Sequence, residues 1–349
     1  MIRLAWLLVV VAAVGAVVGS MLLLKSPNPG PFNHGRVKEN PAASNGKQVY
    51  HLEVGGVQRE FIVYRPENLS ATAEAPVVFV FHGTTGTGEK FYDTTNWKKT
   101  ADAEGFMTVY PTALKYHVFS EEKVMAGEVK NNVSQYTTKW NAFELPNLLD
   151  PAYPDQVLAD DVAFTRAMVG FVNENYATDT ARFYATGFSN GGQFVTRLAV
   201  EMTDVFAAFA PAGAGIVHDQ VLAALELNPV ADFTPRPVLQ TVGEEDPKLT
   251  FFLGVTALNM SEAAAVDGDP VKDGFISGFL ALEQLKDIVT YELKNGVAHF
   301  SYDQKLNSVE GGSYDLLIMP GMGHIYPNGQ NYPVDIVKIL WPFFAEHSL

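Results

Sequence analysis

The chain has 349 residues, of which 47% are hydrophobic and 18% charged, a composition typical of a globular protein with one large core or two smaller ones. Its formal net charge of −15 at pH 7, without any cluster of lysine and arginine, argues against a nucleic-acid partner, because the protein would repel the phosphate backbone. The lack of cysteine excludes disulfides, thiolate metal sites and a thiol nucleophile.

The N-terminus predicts an export segment over residues 1–25. Residues 4–24 are almost entirely apolar, lie between Arg3 and Lys25, and exceed the roughly 20 residues that span a bilayer. This length favours a retained transmembrane anchor over a removed signal peptide, although Val18-Gly19-Ser20 offers a cleavage site. Either form places the body of the protein outside the cytoplasm, and the anchor would also make the membrane a partner.

Residues 26–46 are rich in proline, glycine and asparagine and predict a flexible linker to a single domain over residues 47–349. The first two strand patterns of this domain have no helix between them and predict an antiparallel hairpin. Later runs such as Val77–Phe81 are continuously apolar, as strands buried on both faces must be. The predicted strands are Val49–Val54, Arg59–Tyr64, Val77–Phe81, Met107–Tyr110, Phe183–Thr186, Phe206–Pro211, Val238–Val242, Ala298–Tyr302 and Tyr314–Met319.

Helical patterns alternate with the later strands. They fall at Asp93–Glu104, Asp161–Asn175, Gly191–Val200, Gly274–Leu285 and Val334–His347. This alternation predicts an α/β fold with a mostly parallel central sheet and helices on both faces. In such sheets, functional residues gather at the carboxyl ends of the strands.

One predicted strand runs directly into Gly187-Phe188-Ser189-Asn190-Gly191, a Gly-x-Ser-x-Gly sequence that is followed by a helical pattern. The order of strand, sharp turn and helix is typical of a nucleophile elbow, which lifts the serine hydroxyl clear of the sheet. The glycines two positions to either side leave room for a strained backbone. Ser189 is therefore the candidate nucleophile.

A serine hydroxyl needs a base to take its proton, and the base needs a third group to orient it. In proteins with a nucleophile elbow these partners follow in the order serine, acid, histidine. An acidic turn after the strand Val238–Val242 offers Asp246, with Glu245 and Glu244 as alternatives. His324 lies in a glycine-bounded loop after the last predicted strand and is the candidate base.

Charge that develops on a carbonyl oxygen requires preorganised hydrogen-bond donors. One donor is expected from the backbone N–H of Asn190, and the second from the loop after an early buried strand. That loop begins at His82 and is rich in small residues, so the second donor is assigned to the N–H of Gly83 or of Thr84. His82 precedes Ser189 in the chain, and chain order therefore assigns the base to the later histidine.

The same loop argues against a nucleotide cofactor, and a later segment argues against a calcium site. Gly83 and Gly88 have Walker-A spacing, but Glu89 occupies the lysine position, and Phe91 replaces the last glycine of a dinucleotide fingerprint. The only calcium-loop-like sequence has Val271 where an oxygen ligand is needed. We expect no cofactor and no metal.

Four sequence blocks resemble the polyhydroxybutyrate depolymerase and feruloyl esterase group of α/β-hydrolases. They are Val78–Gly83; Trp97 with Ala101–Phe106 and Val109–Pro111; Asp160–Phe164 with Arg182–Gly192; and Gly321–Pro327. The resemblance covers roughly residues 47–349 and implies an α/β-hydrolase fold with insertions that form a lid. It also implies hydrolysis of carboxylic esters, with Ser189 as nucleophile, Asp246 as acid and His324 as base.

Two regions look enlarged relative to this group, namely His117–Asp155 and the long interval from Asp246 to His324. Insertions there would roof the pocket, so the resemblance says least about the substrate. Trp140, with His82 and Tyr326 from neighbouring loops, is expected to contact the substrate, and packing inside the lid is the alternative. The further aromatic candidates in the two regions are Phe143, Phe251, Phe252, Phe275 and Phe279.

The sequence thus predicts a serine esterase that acts outside the cytoplasm on polyester, hydroxycinnamoyl or short-chain esters, with a small or polymeric ester as its partner. A peptidase or amidase on the same scaffold and a non-catalytic binding module remain open, although intact candidate residues count against the module. The oligomeric state is not set by the sequence.

Overall fold

The computed structural model describes residues 45–125, 127, 133–215, 233–306 and 312–349. Its strands are β1 Gly46–Val54, β2 Val57–Arg65, β3 Ala75–Phe81, β4 Met107–Pro111, β5 Lys115–Val118, β6 Gln135–Thr138, β7 Thr178–Phe188, β8 Ala208–Ala212, β9 Val238–Gly243, β10 Thr290–Lys294, β11 Val297–Tyr302 and β12 Tyr314–Met319. Its α-helices are α1 Gly88–Thr94, α2 Trp97–Glu104, α3 Glu121–Met125, α4 Leu145–Leu148, α5 Asp161–Asn175, α6 Asn190–Glu201, α7 Pro247–Leu253, α8 Ser277–Leu282 and α9 Val337–Ala345.

The N-terminal predictions are not covered by this part of the chain. The predicted anchor or signal at residues 1–25 and nearly all of the predicted linker at residues 26–46 lie outside the described residues. Within the described ranges, no helix combines the length and the apolar character needed to cross a bilayer.

Ten strands form one sheet in the order β1-β2-β4-β3-β7-β8-β9-β12-β11-β10. The central run from β4 to β12 is parallel throughout, and β1 pairs with β2 in an antiparallel hairpin at one edge. The predicted fold class is confirmed. The structure adds a second antiparallel edge, made by β10 and β11, that the sequence did not predict because β10 is short and mostly exposed.

Both faces of the sheet are covered, which explains why the central strands are continuously apolar. Along β3, Phe79 and Phe81 point into a core shared with α5 and α6, whereas Val78 and Val80 point into a core shared with α2 and α9. Successive side chains of a strand alternate between the two faces. Every position of such a strand therefore has to be apolar.

One predicted helix, Asp93–Glu104, is divided into α1 and α2. Thr95 has an extended backbone, and its hydroxyl donates to the Phe91 carbonyl at 2.6 Å, which closes α1. The predicted helix at Gly274–Leu285 is likewise shorter, because a turn of π-helix at Lys272–Ile276 leads into α8.

Candidate active site

Ser189 lies in the sharp turn between β7 and α6, at the carboxyl edge of the parallel strands. Its φ of 54° is in the left-handed region that non-glycine residues rarely adopt, and its N–H donates to the Ala212 carbonyl at 2.8 Å. A Cβ on Gly187 would lie 2.4 Å from the Gly191 oxygen, and one on Gly191 would lie 2.3 Å from the Phe81 oxygen. Only glycine at both positions allows α6 to start so close to the sheet.

His324 and Asp246 approach Ser189 from two other strand ends. The His324 Nε2 lies 2.8 Å from the Ser189 Oγ, and its Nδ1 lies 2.6 Å from Oδ2 of Asp246. Because a carboxylate can only accept, Nδ1 carries the proton and Nε2 is free to accept from the serine hydroxyl. The structure thus brings together the three side chains that the sequence singled out.

Asp246 is held in place from its other side. Its second oxygen, Oδ1, accepts the backbone N–H groups of Lys248 at 2.9 Å and Leu249 at 3.3 Å, which makes Asp246 the N-cap of α7. Of the two alternatives from the sequence, Glu244 instead accepts the Gly321 N–H at 2.8 Å, and Glu245 is exposed.

The loop after β3 runs past the elbow, as expected for the second oxyanion donor. A Cβ on Gly83 would lie 3.3 Å from the Cβ of Ser189 and 3.2 Å from the Phe188 oxygen, so glycine permits this approach. Within the described residues, the N–H groups of Gly83 and Thr84 donate to no other protein group. Asn190 opens α6, where helical N–H groups lack intrahelical acceptors.

Two of the three expected substrate contacts need correction. His82 and Trp140 are fully buried, and neither lines the cavity beside Ser189, because their polar atoms already bond to the protein interior. The Nδ1 of His82 donates to the Gly83 carbonyl at 2.7 Å, and its Nε2 accepts the Ala113 N–H at 3.0 Å. Burial lowers the pKa of His82 to about 4, so this imidazole is neutral near pH 7.

Tyr326 does line the cavity. Its ring packs against Phe91 and Phe188, with centroids 5.7 and 6.0 Å away, and its hydroxyl accepts the indole N–H of Trp97 at 2.8 Å. Tyr326 therefore presents its ring rather than its hydroxyl to the cavity. It remains a proposed substrate contact.

The further aromatic candidates lie elsewhere in the described structure. Phe275 and Phe279 are buried in the core, and Phe279 stacks on Tyr314 at 4.7 Å between centroids. The packing alternative therefore holds for both. Within the described structure, none of the five further candidates lines the cavity; they are Phe143, Phe251, Phe252, Phe275 and Phe279.

The cavity beside Ser189 has a volume of about 620 Å³. The loop after β3, helix α1 and the segment 324–331 form three of its sides, and the enlarged region His117–Asp155 forms another through residues 118–122 and the strand β6. The second enlarged region contributes only Lys248 among the described residues, because most of it builds the sheet edge and α8. Most of the residues that line the cavity carry a hydroxyl, amide or charged group, and apolar atoms still contribute more than half of the lining surface.

Two ion pairs hold α3 against this cavity. Glu121 pairs with the buried Lys139 on one side, and Glu122 lies 3.3 Å from Lys248 on the other. Glu144 lies beside the first pair, and burial, together with the charge of Glu121, raises its pKa to about 7. Among the described residues, no group of three or more histidine, aspartate and glutamate side chains is placed to hold a metal ion.

A model of the dienelactone hydrolase family matches residues 61–260, which is more than half of the chain. The chain belongs to the dienelactone hydrolase family. The expected assignment to the esterases of the α/β-hydrolase fold is confirmed at this level, and so is the expectation of an ester-hydrolysing enzyme.

Several known proteins are similar to this dienelactone hydrolase family member. One named "Putative esterase NocK", from Nocardia uniformis subsp. tsuyamanensis, is 26% identical over 303 residues, which cover 84% of this chain and 78% of that protein. Acetylxylan esterase A from Emericella nidulans is 24% identical over 208 residues, covering 60% and 55% of the two chains. The solved acetyl xylan esterase from Aspergillus awamori has a TM-score of 0.52 at 12% identity, over 85% of this chain and 99% of that one, and shows the shared fold.

Proposed function

We propose that the protein is a serine carboxylic-ester hydrolase in which Ser189 is the nucleophile, His324 the base and Asp246 the acid that orients it. The observation that carries this proposal is the continuous hydrogen-bonded chain from the Ser189 Oγ through His324 to the buried carboxylate. Such a chain is what activates a serine hydroxyl for attack.

In the proposed reaction, the Ser189 oxygen attacks the ester carbonyl while the Nε2 of His324 takes the hydroxyl proton. The carbonyl oxygen becomes an oxyanion that accepts the N–H of Asn190 and the N–H of Gly83 or Thr84. The imidazolium, stabilised by Asp246, then gives its proton to the departing alcohol. Water attacks the acyl-enzyme by the same route in reverse, which releases the acid and regenerates the serine.

The cavity favours a compact acyl group and a polar alcohol. Its wall carries hydroxyl and amide side chains such as Thr94, Gln135 and Asn328, and the aromatic rings of Phe91 and Tyr326 lie at one side. An acetyl or hydroxycinnamoyl group would pack against the aromatic side and the hydroxyls of a polar alcohol could bond to the polar side, whereas a long alkyl chain would match the aromatic side alone. Relatives named acetylxylan esterase and feruloyl esterase support this substrate class, and polyesters and other short-chain esters remain within the proposal.

The apolar segment at residues 4–24 supports a proposed site of action outside the cytoplasm, either at a membrane or after removal of the segment.

The proposal is tested by measuring whether purified full-length protein hydrolyses the p-nitrophenyl esters of acetate, 3-hydroxybutyrate and ferulate. We expect Ser189→Ala to abolish turnover of every ester that the wild type cleaves, and Ser70→Ala, at an exposed serine outside the site, to leave it unchanged. Equal rates for wild type and Ser189→Ala would overturn the proposal. Cleavage of peptide amides in preference to esters would favour a peptidase, and ligand binding without turnover would favour a binding module.

A further inference from the structure

We propose that Trp140 is a positioning residue for the oxyanion donors, so that the insertion which carries it takes part in catalysis as well as in shaping the cavity. This inference rests on the proposed function, because it concerns donors to the oxyanion of an ester intermediate. Trp140 is fully buried and outside the cavity lining, and so acts through its neighbours rather than on the substrate.

The indole of Trp140 fixes the first peptide unit of the loop after β3. A peptide unit is planar and trans, so its C=O and N–H point in opposite directions. The Nε1 of Trp140 donates to the His82 carbonyl at 2.8 Å, and this bond sets the direction of the Gly83 N–H across the same peptide. One of the two candidate loop donors is therefore aimed by Trp140.

The second candidate donor is aimed in a similar way, one residue further on. The Gly83 carbonyl accepts the Nδ1–H of His82 at 2.7 Å and the N–H of Gly86 at 3.0 Å. These two bonds set the direction of the Thr84 N–H on the opposite side of that peptide. The ring of His82 is itself packed against Trp140, with centroids 5.0 Å apart.

The main chain of Trp140 reaches the other side of the proposed oxyanion site. Its N–H donates to Oδ1 of Asn190 at 2.7 Å, and the Asn190 Nδ2 donates back to the Trp140 carbonyl at 3.3 Å. The backbone N–H of Asn190 is the donor expected from the elbow. Trp140 therefore bonds on one side to the peptide that carries the Gly83 N–H and on the other to the side chain of Asn190, whose N–H is the elbow donor.

Packing leaves the indole little freedom to move. Its ring stacks on Phe194 at an interplanar angle of 14° and meets Phe81 edge-on, with both centroids 5.3 Å away. All of these groups lie in one core. A buried donor in a filled core keeps a single orientation, which is what preorganised stabilisation of an oxyanion requires.

The end of β6 continues this support along the loop. The Thr138 carbonyl accepts the N–H of Thr85 at 3.1 Å, and the Thr138 hydroxyl donates to the Gly86 carbonyl at 2.7 Å. Thr85 has a φ of 68°, a conformation unfavourable for threonine that persists only where neighbouring bonds impose it. The antiparallel pair of β5 and β6 thus lines the cavity and also holds the loop after β3 that carries the candidate oxyanion donors.

The test is Trp140→Phe, which keeps a six-membered aromatic ring in the core and removes the five-membered ring of the indole together with its N–H. We expect kcat for p-nitrophenyl acetate to fall by about tenfold to a hundredfold while KM changes by less than about twofold, because the lost interaction acts on the oxyanion and not on the ground-state ester. A trifluoromethyl ketone, whose serine adduct carries an oxyanion, should bind weaker by the same factor as kcat/KM falls.

Two further variants complete the design. Thr138→Val, which removes one hydroxyl from the same support, should shift kcat and the inhibitor affinity in the same direction by a smaller factor. Trp341→Phe changes a tryptophan of α9 that stacks on Phe106. It should leave both kcat and the inhibitor affinity unchanged. Melting temperatures measured on all variants separate loss of fold from loss of function.

The inference is overturned if Trp140→Phe leaves kcat unchanged, or if kcat falls without a matching loss of inhibitor affinity. If Trp140→Phe does not fold, Thr138→Val decides by the same two readouts whether the insertion supports the oxyanion donors, and an unchanged kcat in that variant overturns the inference. Failure of the proposed function has a different signature, since wild-type protein would then cleave no ester. An active wild type with an unaffected Trp140→Phe rejects the positioning role alone.

Discussion

The carboxylate of Asp246 serves two partners, since its Oδ2 lies 2.6 Å from the Nδ1 of His324 while its Oδ1 caps the first turn of α7. A helix N-terminus carries partial positive charge and stabilises an anion there. The cap also fixes the χ angles of the side chain, so the oxygen that faces His324 has a defined position. The geometry of the proposed base therefore depends on a helix that follows the acid directly in the chain.

Asp246→Asn separates these two tasks of the side chain. Asparagine caps a helix as well as aspartate does, but it offers His324 no anionic acceptor. We expect kcat to fall by about 10³–10⁴-fold with little change in the melting temperature, as measured by steady-state ester hydrolysis and thermal unfolding. Asp160→Asn, which alters the N-cap of α5 outside the site, should leave kcat within about twofold. Wild-type kcat in Asp246→Asn would remove Asp246 from the proposed mechanism.

Gly83→Ala tests the close approach of the loop to the elbow. The added methyl group would lie 3.2 Å from the Phe188 oxygen and 3.3 Å from the Ser189 Cβ, so one of the two segments has to move. We expect kcat/KM to fall by about tenfold to a hundredfold, because small displacements of catalytic groups are costly. Gly170→Ala, in α5 with open space at its Cβ, should keep full activity and gain up to about 1 kcal/mol of stability. Retained activity in Gly83→Ala would argue that this loop does not supply a donor.

Glu144→Gln tests the buried carboxyl beside α3. Burial raises the pKa of Glu144 from 4.5 to about 7, so the folded protein binds this proton more tightly than the unfolded chain does. The resulting stability is complete below pH of about 4.5 and is lost as the pH rises through about 7. Glutamine is neutral throughout, so the stability of the variant relative to wild type should rise by up to about 3 kcal/mol between pH 4.5 and pH 8.

Urea unfolding at a series of pH values measures this difference. Glu104→Gln, at an exposed position at the end of α2, is the surface control measured over the same range. A Glu144→Gln difference that is constant with pH would contradict the raised pKa.

The sequence could predict those parts of the fold and site that leave a local signal. The continuously apolar run of β3 indicates burial on both faces, and the strand, glycine turn and helix around Ser189 occur in one short segment. Chain order then selects Asp246 and His324. The structure places His324 within hydrogen-bond distance of both Asp246 and Ser189. These features depend on residue type and order, both of which are read directly from the chain.

The direction of a side chain leaves no such signal. A histidine in a glycine loop after a buried strand suits the cavity or the core equally well. Only the Gly83 carbonyl, which accepts from the ring, and the Ala113 N–H, which donates to it, decide that His82 faces inward. For the same reason, the sequence does not tell whether the Trp140 side chain faces the cavity or the core. The clue available in the sequence was its position at the end of a short strand, β6, which was itself too short and polar to predict.

Covalent labelling of the full-length protein with a fluorophosphonate, followed by peptide mapping, tests whether Ser189 is a nucleophile activated by His324. Attack by an activated serine oxygen forms a bond to phosphorus and expels fluoride. We expect one adduct, on the peptide that contains Ser189, no adduct in Ser189→Ala, and labelling slowed by at least about 10²-fold in His324→Ala. An adduct on a different serine with Ser189 unmodified, or an equal labelling rate in His324→Ala, would contradict this expectation.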